Sequence, residues 1–222
     1  MSTPSIQRNN LIDYIVALLL LNAILLLVSP QSRADSDSTG QTPATIVTGT
    51  IDVIMTRLRT DTTQMQGNPE ELHALVSKVV LPHLDIPGIS RIVLGKASRQ
   101  AGKATMSRFS DEFRNLLIRT YASSLGRFSG EATSFPVQQK LLGNNKASVN
   151  MKIQRPGQAT IAMDFRMHNK SGPWLIYDIK IEGISLIANY RTEFANIVRN
   201  QGLEALINRL HSKNSGVQIA VK

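Results

Sequence analysis

Asp178–Phe194, DIKIEGISLIANYRTEF, changes its repeat partway along, and that change decides the fold. Ile179 and Ile181 alternate with Asp178, Lys180 and Glu182, the two-residue period of a strand with one covered face. After Gly183 the spacing turns helical: Ile184, Ile187, Ala188, Ala195 and Val198 recur on one side, and Leu186, Tyr190 and Ile197 on another. A helix apolar over so much of its circumference must be covered. More protein can do that, and so can an apolar ligand.

Upstream of this stretch the two-residue period persists. SFPVQQKLLG (134–143), KASVNMKIQR (146–155), QATIAMDFRMHN (158–169) and PWLIYDIKIEG (173–183) read as successive antiparallel strands, separated by the turn signals GNN, PG and NKSG. Val149, Met151 and Ile153 share a face in the second strand. Ala159, Ile161, Met163, Phe165 and Met167 do so in the third, and Leu175, Tyr177, Ile179 and Ile181 in the fourth.

Helices precede the strands. Ile46, Val47, Ile51, Ile54, Met55 and Leu58 form a stripe that runs to about Met65. Asn68, Pro69, Glu70 and Glu71 then make a capped helix start, and the pattern continues through Leu72, Leu75, Val76 and Val79 to Pro82. Asp85 and Pro87 open a short helix that Gly95 closes. Residues 106–128 carry Phe109, Phe113, Leu116, Leu117, Tyr121, Leu125 and Phe128 on one broad face, and GLEALINRL (202–210) is a last amphipathic helix. The class is α+β, a curved antiparallel sheet of about four strands wrapped by helices. A sheet rolled in this way can enclose an apolar cavity.

Residues 1–34 stand apart. A basic, acid-free start precedes an apolar run from Leu11 to Val28 that contains Asp13, and Ser32 and Ala34 supply small residues at −3 and −1. That is the layout of a secretory signal peptide cleaved after Ala34, favoured over a retained anchor. Residues 35–45 read as a flexible neck, 46–213 as a single domain and 214–222 as a tail. Removing residues 1–34 takes two bases and one acid, so the formal charge falls from +9 to +8. The bases are scattered among acids and no recognition motif accompanies them, so nucleic acid is not an expected partner. Weak attraction to anionic membranes or acidic proteins fits better, alongside a merely solvated basic surface.

Catalytic signals are sparse. The chain has no cysteine, which excludes thiol chemistry and cysteine-ligated metals. GISLI (183–187) lacks the second glycine of a nucleophile elbow, so Ser185 reads as a helix cap. AGKAT (101–105) misses the upstream glycine and metal-binding hydroxyl of a phosphate loop. His73, His83, His168 and His211 stand singly, without metal-ligand spacing. Asp164 alternates out of the apolar face, against a general-base role. Met151, Met163 and Met167 on the inward face suit either plain core filling or a surface that adapts to flexible apolar partners.

WLIYDIKIEGISLIANYRTEFANIV (174–198) resembles the most characteristic segment of the MlaC family, periplasmic phospholipid carriers also called toluene-tolerance proteins. Tyr177, Asp178, Ile181, Glu182, Gly183, Ser185, Leu186, Asn189, Tyr190, Arg191 and Phe194 carry the match. VLPHLDIPGISRIVLGKASRQA (80–101) and FSDEFRNLLIRTYASSL (109–125) add to it, so the resemblance spans about residues 46–212. One departure is Ser98, where the family usually has Trp. The resemblance implies a nuclear-transport-factor-like sheet with additional helices, no catalytic site, no cofactor and no metal. It implies phospholipid as ligand, with the acyl chains inside. It also implies two partners: an inner-membrane ABC transporter complex with its substrate-binding ring protein, and an outer-membrane lipoprotein–porin complex. The task would be lipid shuttling that maintains outer-membrane asymmetry.

Taken with the inward stripes, this places Met151, Ile153, Ile161, Met163, Phe165, Ile179, Ile181, Leu186 and Tyr190 as lipid-binding lining, with Phe113, Leu117 and Tyr121 opposite. The cavity should lie near the upper end of the several-hundred to ~1,000 Å³ range of ligand pockets. A small enzyme for an apolar substrate, with a buried carboxylate or His in the cavity, and an exported scaffold with a filled core are the rival readings.

Overall fold

A computed structural model describes residues 41–61, 68–125, 133–134, 137–154, 157, 159–170 and 172–216. The leader, its cleavage after Ala34, most of the neck and most of the tail fall outside these residues. All described elements belong to one unit, Gln41–Lys222.

Helix α1 (Pro43–Thr60) starts three residues before the apolar stripe, because the Thr42 hydroxyl accepts the Thr45 N–H and Pro43 sits at the first position. It ends at Thr60; its expected extension toward Met65 lies outside the described residues. Helix α2 (Pro69–Leu75) opens on the Asn68 side chain, which accepts from the Glu70 and Glu71 N–H groups. The chain then widens into a π-helical stretch, Val76–Val80, and tightens into a 3₁₀ turn, Leu81–His83, around Pro82, which has no N–H to continue the ladder. Leu84 bridges to Ile176, and the Asp85 N–H donates to the Ile176 carbonyl at 2.9 Å.

Helix α3 (Ile86–Leu94) is capped by Asp85, whose Oδ1 accepts the Gly88 N–H at 2.9 Å. Gly88 is needed there: a Cβ would lie 1.8 Å from Asp85 Oδ2. That second oxygen is 2.9 Å from His168 Nε2, which ties the start of α3 to the sheet. A short helix α4 (Ala97–Gln100) leads into α5 (Lys103–Leu125), the longest element described.

Strands β1 (Thr133–Ser134), β2 (Gln138–Gly143), β3 (Lys146–Gln154), β4 (Ile161–His168), β5 (Leu175–Ile181) and β6 (Ile184–Ser185) form one antiparallel sheet. The four long strands are the four expected, and β1 and β6 are two-residue additions at its margins. A bulge between β4 and β5 pairs Arg166 with Asp178 but Met167 with Ile176. Tyr177 is the extra residue, so the expected face of Leu175, Tyr177, Ile179 and Ile181 is broken. Ile176 takes the inward place, while Tyr177 packs among the helices.

Helices α6 (Leu186–Gln201) and α7 (Leu203–Asn214) complete the fold. The buried side chains form three clusters. One joins α3, α5, α6 and α7; a second joins α1 to β3, β4 and β5; a third joins α1, α2, the π stretch and the C-terminal half of α5. The cover required by α6 is therefore mostly protein: Leu206, Ile207 and Leu210 of α7, with Phe109 and Phe113 of α5.

Candidate functional site

An apolar cavity of about 320 Å³ lies where the three clusters meet without merging. One wall is the inner face of the sheet, through Ile153, Ile161, Met163, Phe165, Ile176, Ile179 and Ile181. Helix α1 closes another side with Val47, Ile51, Ile54, Met55 and Leu58. The π and 3₁₀ stretches add Val76, Val80, Leu81 and Leu84, and α5 adds Leu117, Ile118, Tyr121 and Leu125. Leu186 and Ile187, the first turn of α6, complete the ring with Ile89.

Nine of the twelve residues expected to face this space do so: Leu117, Tyr121, Ile153, Ile161, Met163, Phe165, Ile179, Ile181 and Leu186. Phe113, Met151 and Tyr190 do not. Phe113 is fully buried in an aromatic cluster, 5.7 Å from Phe109, 5.6 Å from Phe194 and 5.2 Å from Tyr190 between ring centres. Tyr190 belongs to that cluster, one turn beyond the part of α6 that reaches the cavity. Met151 is sealed with Val149 in the cluster that α1 shares with the sheet. The volume lies at the lower end of the ~300–1,000 Å³ range of ligand pockets rather than near its top. The aromatic cluster and α7 occupy space that the sequence pattern assigned to the hollow.

Few polar groups face inward. Burial raises the Tyr121 phenol well above its ordinary value, and the neighbouring Tyr190 hydroxyl, a hydrogen-bond partner, adds to the rise. Burial also raises Tyr190, against hydrogen bonds from Tyr121 and Thr120. Both stay neutral at physiological pH. Asp178 reaches the wall while only 7% exposed. Its carboxylate accepts the Ser185 hydroxyl at 2.8 and 2.9 Å and the Ile187 N–H at 3.3 Å. Ser185 Oγ in turn accepts the Ala188 N–H at 3.0 Å, so Ser185 is the cap of α6 and Asp178 holds the cap. A carboxylate engaged on both oxygens by a helix start is a fastener. His83 also borders the space. Asp164 accepts a hydrogen bond from Ser148 on the opposite face of the sheet. No group of His, Asp and Glu side chains among the described residues could hold a metal ion.

Sequence reasoning missed α1 and the 76–84 stretch as walls. The α1 stripe was a usable signal, since the sheet alone leaves its apolar face unmatched. The π winding gives no signal of its own, because Val76, Val79 and Val80 fit an α-helix equally well. Ser98, at the departure from the family pattern, donates to the Gly95 carbonyl at 2.7 Å and borders an open groove of mixed polar and apolar lining outside the cavity, between α3 and α5.

Known proteins share this arrangement. A model of the MlaC protein family matches residues 48–212. The toluene tolerance protein ttg2D of Pseudomonas putida is 26% identical over 163 residues, 73% of this chain and 75% of that protein. The intermembrane phospholipid transport system binding protein MlaC of Haemophilus influenzae is 24% identical over 176 residues, 78% of this chain and 82% of its own. The solved structure of a phospholipid-binding protein from Ralstonia solanacearum, in complex with a phospholipid, has the same fold. It is 24% identical, with a TM-score of 0.70 over 80% of this chain and 99% of that one. With the match running through nearly every described element, this chain belongs to the MlaC family.

Proposed function

We propose that this protein is a periplasmic phospholipid carrier, exported by a leader cleaved after Ala34, and that the apolar cavity holds acyl chains. The observation that carries the reading is the cavity itself, walled almost wholly by aliphatic side chains from sheet, α1, α5 and the first turn of α6. Exposing two chains of ~16 carbons to water costs roughly 25 kcal/mol, at ~0.8 kcal/mol per methylene. A carrier therefore has to replace the bilayer around the tails, and it needs few polar contacts to do so. The half-buried wall residues Ile161, Met163, Ile181 and Leu186, beside the 59% exposed Ile184, give the tails an apolar way in. The relatives named for phospholipid binding and transport support the same task.

In this reading the protein is not an enzyme. It exchanges lipid with an inner-membrane ABC transporter complex through its substrate-binding ring protein, and with an outer-membrane lipoprotein–porin complex, so as to maintain outer-membrane asymmetry. Native mass spectrometry of the exported protein, purified without denaturant, tests the claim. Phospholipid should co-purify and survive into the gas phase; protein that stays empty even after incubation with vesicles would overturn it.

A further inference from the structure

The end of the sheet where β2 turns into β3 carries a second feature, away from the cavity. Asn144 and Asn145 both adopt positive φ, 49° and 56°, the geometry of a tight two-residue hairpin turn. Just before the turn, Leu141 and Leu142 are 65% and 47% exposed. They are the only adjacent pair among the large hydrophobic residues exposed in the described structure, and Leu141 is the most exposed of them. Single exposed leucines are common, whereas two successive ones in a strand that ends in a turn put an apolar side chain on each side of the hairpin.

Its surroundings are cationic. Lys140 and Lys146 flank the leucines in the two strands, and both are exposed. The β4–β5 turn lies alongside, its Asn169 N–H donating to the Asn145 carbonyl at 3.1 Å, and it brings exposed Lys170 to the same end. No acid occurs between Ala132 and Met163, a stretch that contains four bases. Two carboxylates lie near this end: Asp85, turned inward and bonded to His168 and the Gly88 N–H, and Asp164, which accepts the hydroxyl of Ser148, the cross-strand partner of Lys140, so Lys146 and Lys170 are the lysines farther from an acid. Trp174, the one tryptophan of the chain, is half-buried where this turn enters β5.

We propose that this hairpin tip docks the protein on bilayers rich in anionic headgroups, with Leu141 and Leu142 entering the interface and Lys140, Lys146 and Lys170 meeting the phosphates. Apolar side chains ringed by lysines have the composition of an interfacial anchor, and Trp174, packed against the α1–sheet cluster at the same end, serves as its reporter. A two-residue hairpin turn presents little surface to a folded partner, whereas a fluid bilayer moulds around it. Each lysine near an anionic surface strengthens binding about fivefold, and screening by salt removes the effect. The anchor stands independently of what fills the cavity.

Flotation of residues 35–222, which contain every described element, with phosphatidylglycerol–phosphatidylcholine vesicles tests the proposal against pure phosphatidylcholine vesicles. The parent should float with the anionic vesicles, less so as salt rises, with a blue shift of Trp174 emission. Lys140→Gln/Lys146→Gln/Lys170→Gln should lose about a hundredfold in affinity, and Leu141→Ser/Leu142→Ser should lose the emission shift and most of the flotation. Native mass spectra and thermal melts of the same preparations must show unchanged cavity lipid and folding, which separates this result from any failure of the carrier reading. A parent that ignores anionic vesicles, or variants that float like the parent, would overturn it. So would leucine variants that change only self-association in sedimentation, which would make the tip a contact between copies.

Discussion

Helix α5 runs through two environments that differ in a single respect. Its N-terminal half places Phe109 and Phe113 among Phe194, Tyr190 and Leu206, in a cluster of buried side chains. Its C-terminal half places Leu117, Ile118, Tyr121 and Leu125 along the cavity, where side chains of the same chemistry stop short of those opposite. Phe113 and Leu117 are one turn apart on one face. What distinguishes them is the partner across the gap. Helix α7 and the middle of α6 close over the first half, whereas the second half looks toward the sheet across the space that α1 and the π stretch only partly fill.

Truncation should expose this contrast most strongly. Phe113→Ala removes a ring from close packing and should cost about 3–5 kcal/mol in urea unfolding, against about 2 kcal/mol for Leu117→Ala, whose neighbours already border empty space. Equal losses would mean that the hollow is filled as tightly as the rest. The next effect falls where the two regions are fastened together. Gly88→Ala ordinarily favours a helix, but here the methyl group would strike Asp85 Oδ2 and disturb both the α3 cap and the bond to His168. A loss of about 2 kcal/mol is expected, combining overpacking and cap loss. Filling the hollow is the converse test. Ile161→Trp should change stability by less than about 1 kcal/mol, yet abolish co-purified phospholipid in native mass spectra.

The smallest effect lies at the filled end. Glu112 accepts from Asn214 Nδ2 at 2.7 Å and lies 2.7 Å from His211 Nδ1. Burial alone would raise its carboxyl pKa, but these hydrogen bonds, with the His211 and Arg108 charges, hold it below the ordinary 4.5. The unfolded chain therefore binds the proton more readily, so the contribution is complete above about 4.5 and fades as pH falls through the folded value. The difference in urea midpoint between the parent and Glu112→Gln should shrink as the pH drops from about 6 to about 3.

Local chemistry explains why parts of this architecture were legible. Asn68, Asp85, Ser185 and Gly95 mark helix ends through their own side-chain or backbone preferences, and all four sit at helix boundaries. The four long strands followed from alternation together with the turn signals between them. What escaped depended on distant partners. The bulge that exchanges Ile176 for Tyr177 is set by register against β4, and nothing in the local alternation marks it. Likewise, Phe113, Met151 and Tyr190 belong to stripes indistinguishable from those of Leu117, Ile153 and Leu186. Filled core and hollow read alike until the covering element is known.

The π winding at Val76–Val80 has a mechanical consequence. It lies between α2, which packs against α5, and the point where Leu84 and Asp85 are fixed to Ile176. A π turn holds more residues than an α turn, so this span stores extra contour length between two fixed points. Rewinding it to α geometry would rotate Val80 and Leu81, which line the cavity, about the helix axis. The ceiling over the cavity is thus a pleat rather than a plank, with slack folded into it.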